Sequence, residues 1–421
     1  MVSALVQDKG SKRTSGILRA LSILLLQVLL GLAVVFAGGE IWARSALGFE
    51  GKHWPMRFDS AFGFNFKPHE TVRHTNFVDF QTSETANADG FLDRPFPALE
   101  KPSGVCRIAF IGDSFVEAAQ VRNEHKLQVV FERLARERWP HLAIETMATG
   151  YSGTGQLNQV PFYDLWVAPR KPDVVVLVFV SNDFANNSAV LEAVRNGWHP
   201  LHMPRLFANK TSTGEIVLQP IDPNFDSHTL LNTNGSPAKW HRWLHRLSYF
   251  YRWVFAQMKI QNPAATAQLT GTEDVNKLYV DRAEQLVRLS PEYARKLSGW
   301  DMRKFPKFNQ MFQQEPLIEL FQDAIDYTEF AFDQFYQRIR RDNARPVVIS
   351  AFNVEGRHLK RLNHMLDERA IEHASQADAV VAQKIDRRKL HFSRDGHWNA
   401  EGHRHAAVML LDWFAKTSPC G

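Results

Sequence analysis

The chain has 421 residues, 44% of them hydrophobic and 12% aromatic, enough to fill one large α/β domain with insertions or two domains, so disorder is not the default reading. A net charge of +5 and an isoelectric point near 9.1 come from a mild basic excess spread along the chain. With no polybasic block and no nucleic-acid fold signature, no nucleic-acid partner is expected.

The N-terminus carries Lys9, Lys12, Arg13 and Arg19, followed by an apolar run from Leu21 to Gly39 that only Ser22 and Gln27 interrupt. As a helix, roughly 19 residues span about 28 Å, close to the hydrocarbon thickness of a bilayer. Val35-Phe36-Ala37 before Gly38 would suit a signal-peptide cleavage site, but the run exceeds the usual apolar length of about 7 to 15 residues. A buried core helix would need a second apolar layer nearby, which the polar stretch that follows does not supply. The preferred reading is therefore a cytoplasmic tail over 1–20 and an uncleaved transmembrane anchor over 21–39. This is a single-pass plasma-membrane (inner-membrane) arrangement with the rest of the chain outside the cytoplasm, periplasmic in a Gram-negative source. Arg44, Lys52 and Arg57 follow the segment, so this orientation rests on its signal-anchor pattern and not on charge asymmetry.

Residues 44–104 mix Phe, Gly, Asn and Pro without a sustained period and read as an extended connector with short strands, to which no chemistry is assigned. From 105 to 419 the pattern alternates strand and helix, the signature of a parallel sheet with helices on both faces. Arg107–Ile111 is a short apolar strand, and His125–Trp139 a helix with Leu127, Val130, Phe131 and Leu134 on its buried stripe. A strand around Ile144–Met147 and a Gly-rich turn follow. Asp173–Val180, whose residues from Val174 on are an unbroken run of valine, leucine and phenylalanine, suits a central strand buried on both faces. Between about 187 and 315 the alternation stops in an insertion rich in aromatics: Trp198, Trp240, Trp243, Tyr249, Phe250, Tyr251 and Trp253. Arg242, Arg246, Arg252 and Lys259 are interleaved with them, and helical core packing inward is the preferred reading over a lid, a sugar platform or a lipid-facing surface. The pattern resumes with a helix from Pro316 to about Arg341, a strand at Pro346–Ser350 and a last helix over Ala400–Lys416, with Asn399 as its N-cap.

The sharpest chemical signal is Phe110-Ile111-Gly112-Asp113-Ser114-Phe115, a strand running into Gly-Asp-Ser before a helix. A serine there projects over the carboxyl edge of a parallel sheet, where open α/β folds bind ligands. By itself the block could be a helix-entry turn capped by Asp113 or Ser114. Three further blocks occur downstream: Gly150-Tyr151-Ser152-Gly153-Thr154-Gly155, Ser181-Asn182-Asp183, and Asp395-Gly396-His397 just before the last helix. In this order the chain resembles the SGNH (GDSL-like) hydrolase family over about 107–190 and 345–414. That resemblance implies a flavodoxin-like three-layer α/β fold, Ser114 as nucleophile, His397 as general base and Asp395 as its orienting acid. It also implies an oxyanion hole from the backbone N–H groups of Ser114 and Gly153 and the Asn182 side-chain amide. The Asp-x-His spacing departs from the family's commonest pattern, with the Asp three residues before the His, and looks like a branch containing periplasmic polysaccharide O-acetyltransferases related to those of alginate assembly.

Ser152 nearly sits in a Gly-x-Ser-x-Gly elbow, but the last glycine is missing. His391, Asp395, His397, His403 and His405 are potential metal ligands, yet His403 and His405 are two apart on a predicted helix and diverge, and both are read as helix-surface residues. Asp113 and Asp183 are read as turn-holding acceptors. The expected chemistry needs no metal or organic cofactor. The leading function is a membrane-anchored serine esterase acting on acyl esters, acetyl foremost, of an envelope glycan or small ester. The alternatives are an acyltransferase to a polysaccharide, working with a membrane acyl-donor partner, and a non-catalytic glycan-binding module. If the strand holding Cys106 points toward the site and the last helix away from it, Cys106 and Cys420 both end at the opposite sheet edge, where a disulfide can form outside the cytoplasm.

Overall fold

Free of proline and largely apolar, the N-terminal stretch forms one long helix, α1 (Val2–Ala46). The computed structural model describes residues 2–46, 52–225, 239–262, 275–301, 308–418 and 420. They fall into two compact units: Met1–Gly51 with Pro237–Thr270, and Lys52–Ser236 with Gly271–Gly421.

The larger unit begins with two antiparallel hairpins, β1 (Met56–Asp59) with β2 (Gly63–Phe66), and β3 (Thr71–Thr75) with β4 (Gln81–Thr85). Phe62, Phe66 and Phe91 bury against Tyr151, Phe162 and Trp166, so the segment read as a connector is held by a core of its own. There follow β5 (Val105–Gly112), α2 (Ser114–Glu117), α3 (Leu127–Arg138), β6 (Ala143–Gly150), α4 (Gln156–Phe162), β7 (Val174–Phe179), α5 (Asp183–Asn186), α6 (Ala189–Asn196) and the hairpin β8 (Phe207–Lys210) with β9 (Ile216–Gln219). After α7 (Lys239–Leu247) and α8 (Tyr249–Gln261), which belong to the smaller unit, come α9 (Val275–Leu289), α10 (Pro291–Leu297), α11 (Phe308–Met311), α12 (Glu319–Arg341), β10 (Arg345–Ser350), α13 (Arg357–Glu368), β11 (Glu372–Ser375), α14 (Gln376–Ala382) and α15 (Ala400–Thr417).

Five strands form one parallel sheet in the order β11-β10-β7-β5-β6. Counted along the sheet from β6 this is the 2-1-3-4-5 order of flavodoxin-like folds, whose switch point lies between β5 and β7. The expected α/β class, with helices on both faces, is the one observed, and β7 is the middle strand with all six residues buried. Side-chain alternation along β5 divides the core. Ile108 and Phe110 face α3 and α15 through Phe131, Leu410 and Phe414, whereas Ala109 and Ile111 face the layer of Phe332, Phe335 and Val194. At the sheet's amino edge Cys106 and Cys420 are joined in a disulfide with Cα atoms 5.7 Å apart.

Three readings are corrected here. The helix expected from Pro316 starts at Glu319, because Ile318 still has extended backbone. Residues 351–390, left unassigned, hold α13, β11 and α14; β11 is an edge strand, half-buried throughout, and its Glu-His-Ala-Ser sequence carries no apolar alternation. The aromatic insertion is also not one inward-packed core. Trp198 packs with Phe64 and Phe225 in the larger unit, whereas Trp240 and Trp243 on α7 remain 44% and 61% exposed. Two short helices against a single partner helix have too few neighbours to cover all their rings. Residues 226–238, 263–274 and 302–307 of the insertion, and the side chains of Arg242 and Lys259, lie outside those described.

Candidate active site

Strand β5 ends at Gly112, and Asp113 turns the chain into α2 by accepting from the Phe115 N–H at 2.9 Å. This lifts Ser114 above the carboxyl edge of the sheet beside the switch point. The turn is pressed against the end of β6, where Gly150 is required: a Cβ there would lie 2.2 Å from the Glu117 backbone nitrogen. On the other side, α15 begins at Asn399, whose Oδ1 accepts from the Glu401 and Gly402 N–H groups at 3.0 Å, as expected of its cap. The preceding loop is closed by Phe392 N–H donating to the His397 carbonyl at 3.0 Å. It is wedged by Trp398, whose ring is buried and whose Nε1 donates to Gln376 Oε1 at 2.8 Å.

These two loops bring three of the expected residues together. His397 Nε2 lies 2.8 Å from Ser114 Oγ, and its Nδ1 is in short contact with Asp395 Oδ1. A carboxylate at Nδ1 assigns the proton to that nitrogen and leaves the Nε2 lone pair for the serine hydroxyl. Burial alone would lower the His397 pKa, but the hydrogen bond and charge of Asp395, with Asp113 and Glu117 behind, raise it above its ordinary 6.5. Asp395 moves the other way: burial raises it, and its bond to His397 and the imidazolium charge hold it below 3.8. Phe115 packs on both the His397 and Trp398 rings, at 5.1 and 5.0 Å, which fixes the imidazole plane.

The expected oxyanion donors differ among themselves. Gly153 has φ +69°, in the region that favours glycine, and neither its backbone N–H nor that of Ser114 has an acceptor among the described residues. The Asn182 amide is not free in the same way. It donates to Asp113 Oδ2 at 3.1 Å and to Asn186 Oδ1 at 2.5 Å, which uses both of its N–H groups. Asp113 and Asp183 do accept from turn N–H groups, Phe115 and Val180 respectively, but both are fully buried and burial raises the pKa of each.

Sequence reasoning missed the groups that hold the Gly153 loop. Glu117, on the turn of α2 opposite Ser114, accepts from Ser152 N–H at 2.6 Å and from Ser152 Oγ. From the other side the buried guanidinium of Arg205 donates to the carbonyls of Ser152, at 3.0 Å, and Gly153. Burial lifts the Glu117 carboxyl to about 7 against the pull of its Ser152 bonds. Its signal was available: Glu117 is the one charge in Phe115-Val116-Glu117-Ala118-Ala119, a run otherwise apolar. The β3–β4 hairpin was likewise credited with no chemistry, yet Asp79 accepts from Ser393 Oγ at 2.9 Å and Arg394 N–H at 3.0 Å in the Asp395 loop. Phe80 packs on Phe392, and His74, which burial shifts down to about 4, lies within electrostatic reach of Asp395.

The rival sites do not assemble. Ser152 Oγ is committed to Glu117 and bonds no histidine among the described residues. No cluster of three or more potential metal ligands occurs among the described residues. His403 is not a helix-surface residue: it is buried edge-on to Trp398, on the same stripe of α15 as Ala406, Ala407 and Leu410. His405 is half-buried, its Nδ1 3.3 Å from Gln376 Nε2.

No family model and no curated protein matches the chain. Solved structures with a related arrangement include a two-domain esterase active on acetylated mannans, with 12% identity, a TM-score of 0.32, and 75% of this chain matched to 50% of that one. A catalytic mutant of an acetylxylan esterase from Geobacillus stearothermophilus aligns at 12% identity and a TM-score of 0.36, over 74% of this chain and 95% of the other. An α/β-hydrolase enzyme from the metagenome of Lake Arreo, Spain, aligns at 10% identity and a TM-score of 0.35, over 75% and 96%. The chain thus spans half the length of the mannan esterase. Likenesses this distant carry no argument about activity.

Proposed function

We propose that this chain is a serine ester hydrolase of the SGNH type, anchored in a membrane by α1 with its larger unit outside the cytoplasm. The observation that carries the reading is the single line of contacts Ser114 Oγ, His397 Nε2, His397 Nδ1, Asp395, set at the switch-point edge of the sheet. In the proposed reaction the Ser114 oxygen attacks the ester carbonyl carbon as its proton passes to His397 Nε2. The oxyanion accepts from the Ser114 and Gly153 N–H groups, and the leaving alcohol takes the proton as the C–O bond breaks. Water then gives a proton to His397 as it attacks the acyl carbon, and the Ser114 oxygen takes that proton back as its bond to the acyl group breaks and the acid is released. Asn182 can join the oxyanion hole only by giving up its bond to Asp113 or Asn186. The proposed substrate is an acyl ester, acetyl foremost, of an envelope glycan or small alcohol.

The anchor is supported by the helical span Arg19–Ala46, whose most apolar 18-residue window has a mean hydropathy of 2.6 and no buried residue. The Cys106–Cys420 disulfide supports an oxidising compartment for the larger unit. Hydrolysis of p-nitrophenyl acetate by wild type and Ser114→Ala, with and without an oligosaccharide acceptor, tests the reaction. The account expects a fall of several orders of magnitude in the variant, as when one member of a catalytic unit is removed. Release stimulated by the acceptor, with acylated sugar formed, would replace the hydrolase by the transferase.

A further inference from the structure

The smaller unit contains a feature that the ester chemistry does not use. Glu40 is the first charged residue after the apolar run, and its carboxylate caps α8. It accepts from Ser248 Oγ at 2.7 Å, from Tyr249 N–H at 3.2 Å and from Phe250 N–H at 3.1 Å. The turn between α7 and α8 is therefore fixed at the level where α1 stops being apolar. Below that level, Phe250 lies edge-on to Phe36 and against Gly39. Above it, Trp253 meets Trp42 at 5.2 Å, while Tyr249 is flanked by the guanidiniums of Arg44 at 4.5 Å and Arg252 at 4.8 Å. Phe36 and Trp42 are about 9 Å apart along a helix, enough to reach from the edge of the hydrocarbon core through an interfacial zone of about 5 to 7.5 Å.

Helix α7 folds back on α8 through His241 and an edge of Trp240: buried His241 bonds Tyr251 Oη through Nδ1 at 2.7 Å and packs on Phe255 at 4.5 Å, and the Trp240 ring meets Tyr251 edge-on at 6.4 Å. Trp240, Trp243 and Leu247 recur at i, i+3 and i+7 and stay exposed by 44%, 61% and 51%, with Arg246 exposed beside the turn. Aromatic rings with an apolar body and a polar tip, interleaved with arginine, match the chemistry of the headgroup layer.

We infer that the α7–α8 hairpin is a second membrane contact, its turn and the Trp240-Trp243-Leu247 stripe immersed in the phospholipid interface beside the outer end of α1. This rests on the proposed anchor, and it commits to lipid, not to a protein, as what covers the stripe. Two features support lipid: the Glu40 cap fixes the turn beside the end of the apolar run of α1, and the exposed Arg246 beside the stripe complements lipid phosphates.

The test uses the full chain in vesicles of phosphatidylcholine and phosphatidylglycerol, with a bimane label on one introduced cysteine, since no cysteine among the described residues is free. Labels go at Leu247 or Trp243, at Leu30 in the middle of α1, and at Val381, a surface site 76% exposed in the larger unit. Quenchers are lipid brominated near the headgroup for the hairpin labels, lipid brominated deep in the acyl chain for Leu30, and aqueous iodide. The inference expects the Leu247 and Trp243 labels to be quenched by brominated lipid and to be shielded from iodide about threefold or more relative to Val381. A Leu247 label as open to iodide as Val381, with Leu30 still lipid-quenched, overturns the hairpin contact and leaves the anchor standing. Shielding from both quenchers means a protein covers the stripe, which also overturns it. A Leu30 label that lipid does not quench removes the anchor itself, and the inference with it.

Discussion

Glu117→Gln separates the charge of the group behind the Gly153 loop from its shape. Glu117 is almost fully buried, one of its oxygens accepts both Ser152 bonds, and the other has no hydrogen-bond partner among the described residues. Burial raises its carboxyl from 4.5 to about 7. A carboxyl that holds its proton more tightly in the folded chain costs no stability below the unfolded value and its full cost above the folded one. Stability of the wild type should therefore fall between about pH 4.5 and pH 7 by about 3 kcal/mol, at about 1.4 kcal/mol for each pH unit. Glutamine keeps an acceptor oxygen for Ser152 and cannot ionise. Any penalty from its unpaired buried N–H groups is independent of pH and cancels in a comparison of pH values. Urea unfolding of both proteins at about pH 5 and about pH 8 gives the readout. The variant should gain about 3 kcal/mol on the wild type between the two conditions. An identical stability difference at both pH values would refute the reasoning, showing that Glu117 either ionises freely or is reached by water.

Because Asp395 holds the His397 pKa above 6.5, wild-type activity should fall as pH drops through a value above 6.5. Asp395→Asn should move that acid limb to lower pH and reduce kcat on the order of 10³- to 10⁴-fold; a pH–rate profile with an unmoved limb would contradict the pairing. Thiol titration should find no free thiol before reduction and two after it, and Cys106→Ser should cost about 2 to 5 kcal/mol in urea unfolding. A free thiol in the unreduced chain, or an unchanged midpoint, would refute that bond's role.

The sheet was legible because β7 is an unbroken apolar run and β5 is one from Ile108 to Gly112, and a run buried on both faces has no other stable home. Its edge was not, since β11 spells Glu-His-Ala-Ser and is defined only by pairing with β10. Ser114, Asp395 and His397 could be read as a set because each sits at a strand end or helix start that local sequence marks. The Asn182 amide shows where such reading ends: its residue type suits an oxyanion donor, but which acceptors take its two N–H groups depends on Asp113 and Asn186, brought close only by folding. Arg205 is similar, reaching the Gly153 loop from some 50 residues away with no motif around it. The aromatic stripe of α7 carried the helical period, but period alone does not say whether a stripe faces protein, water or lipid.

The most direct test of the central claim is covalent. Incubation with a fluorophosphonate ester, digestion and mass spectrometry locate the nucleophile without a guess about natural substrate. The account predicts a single adduct on the peptide containing Ser114, lost in His397→Ala. An adduct on Ser152, or none on a folded chain, would contradict it.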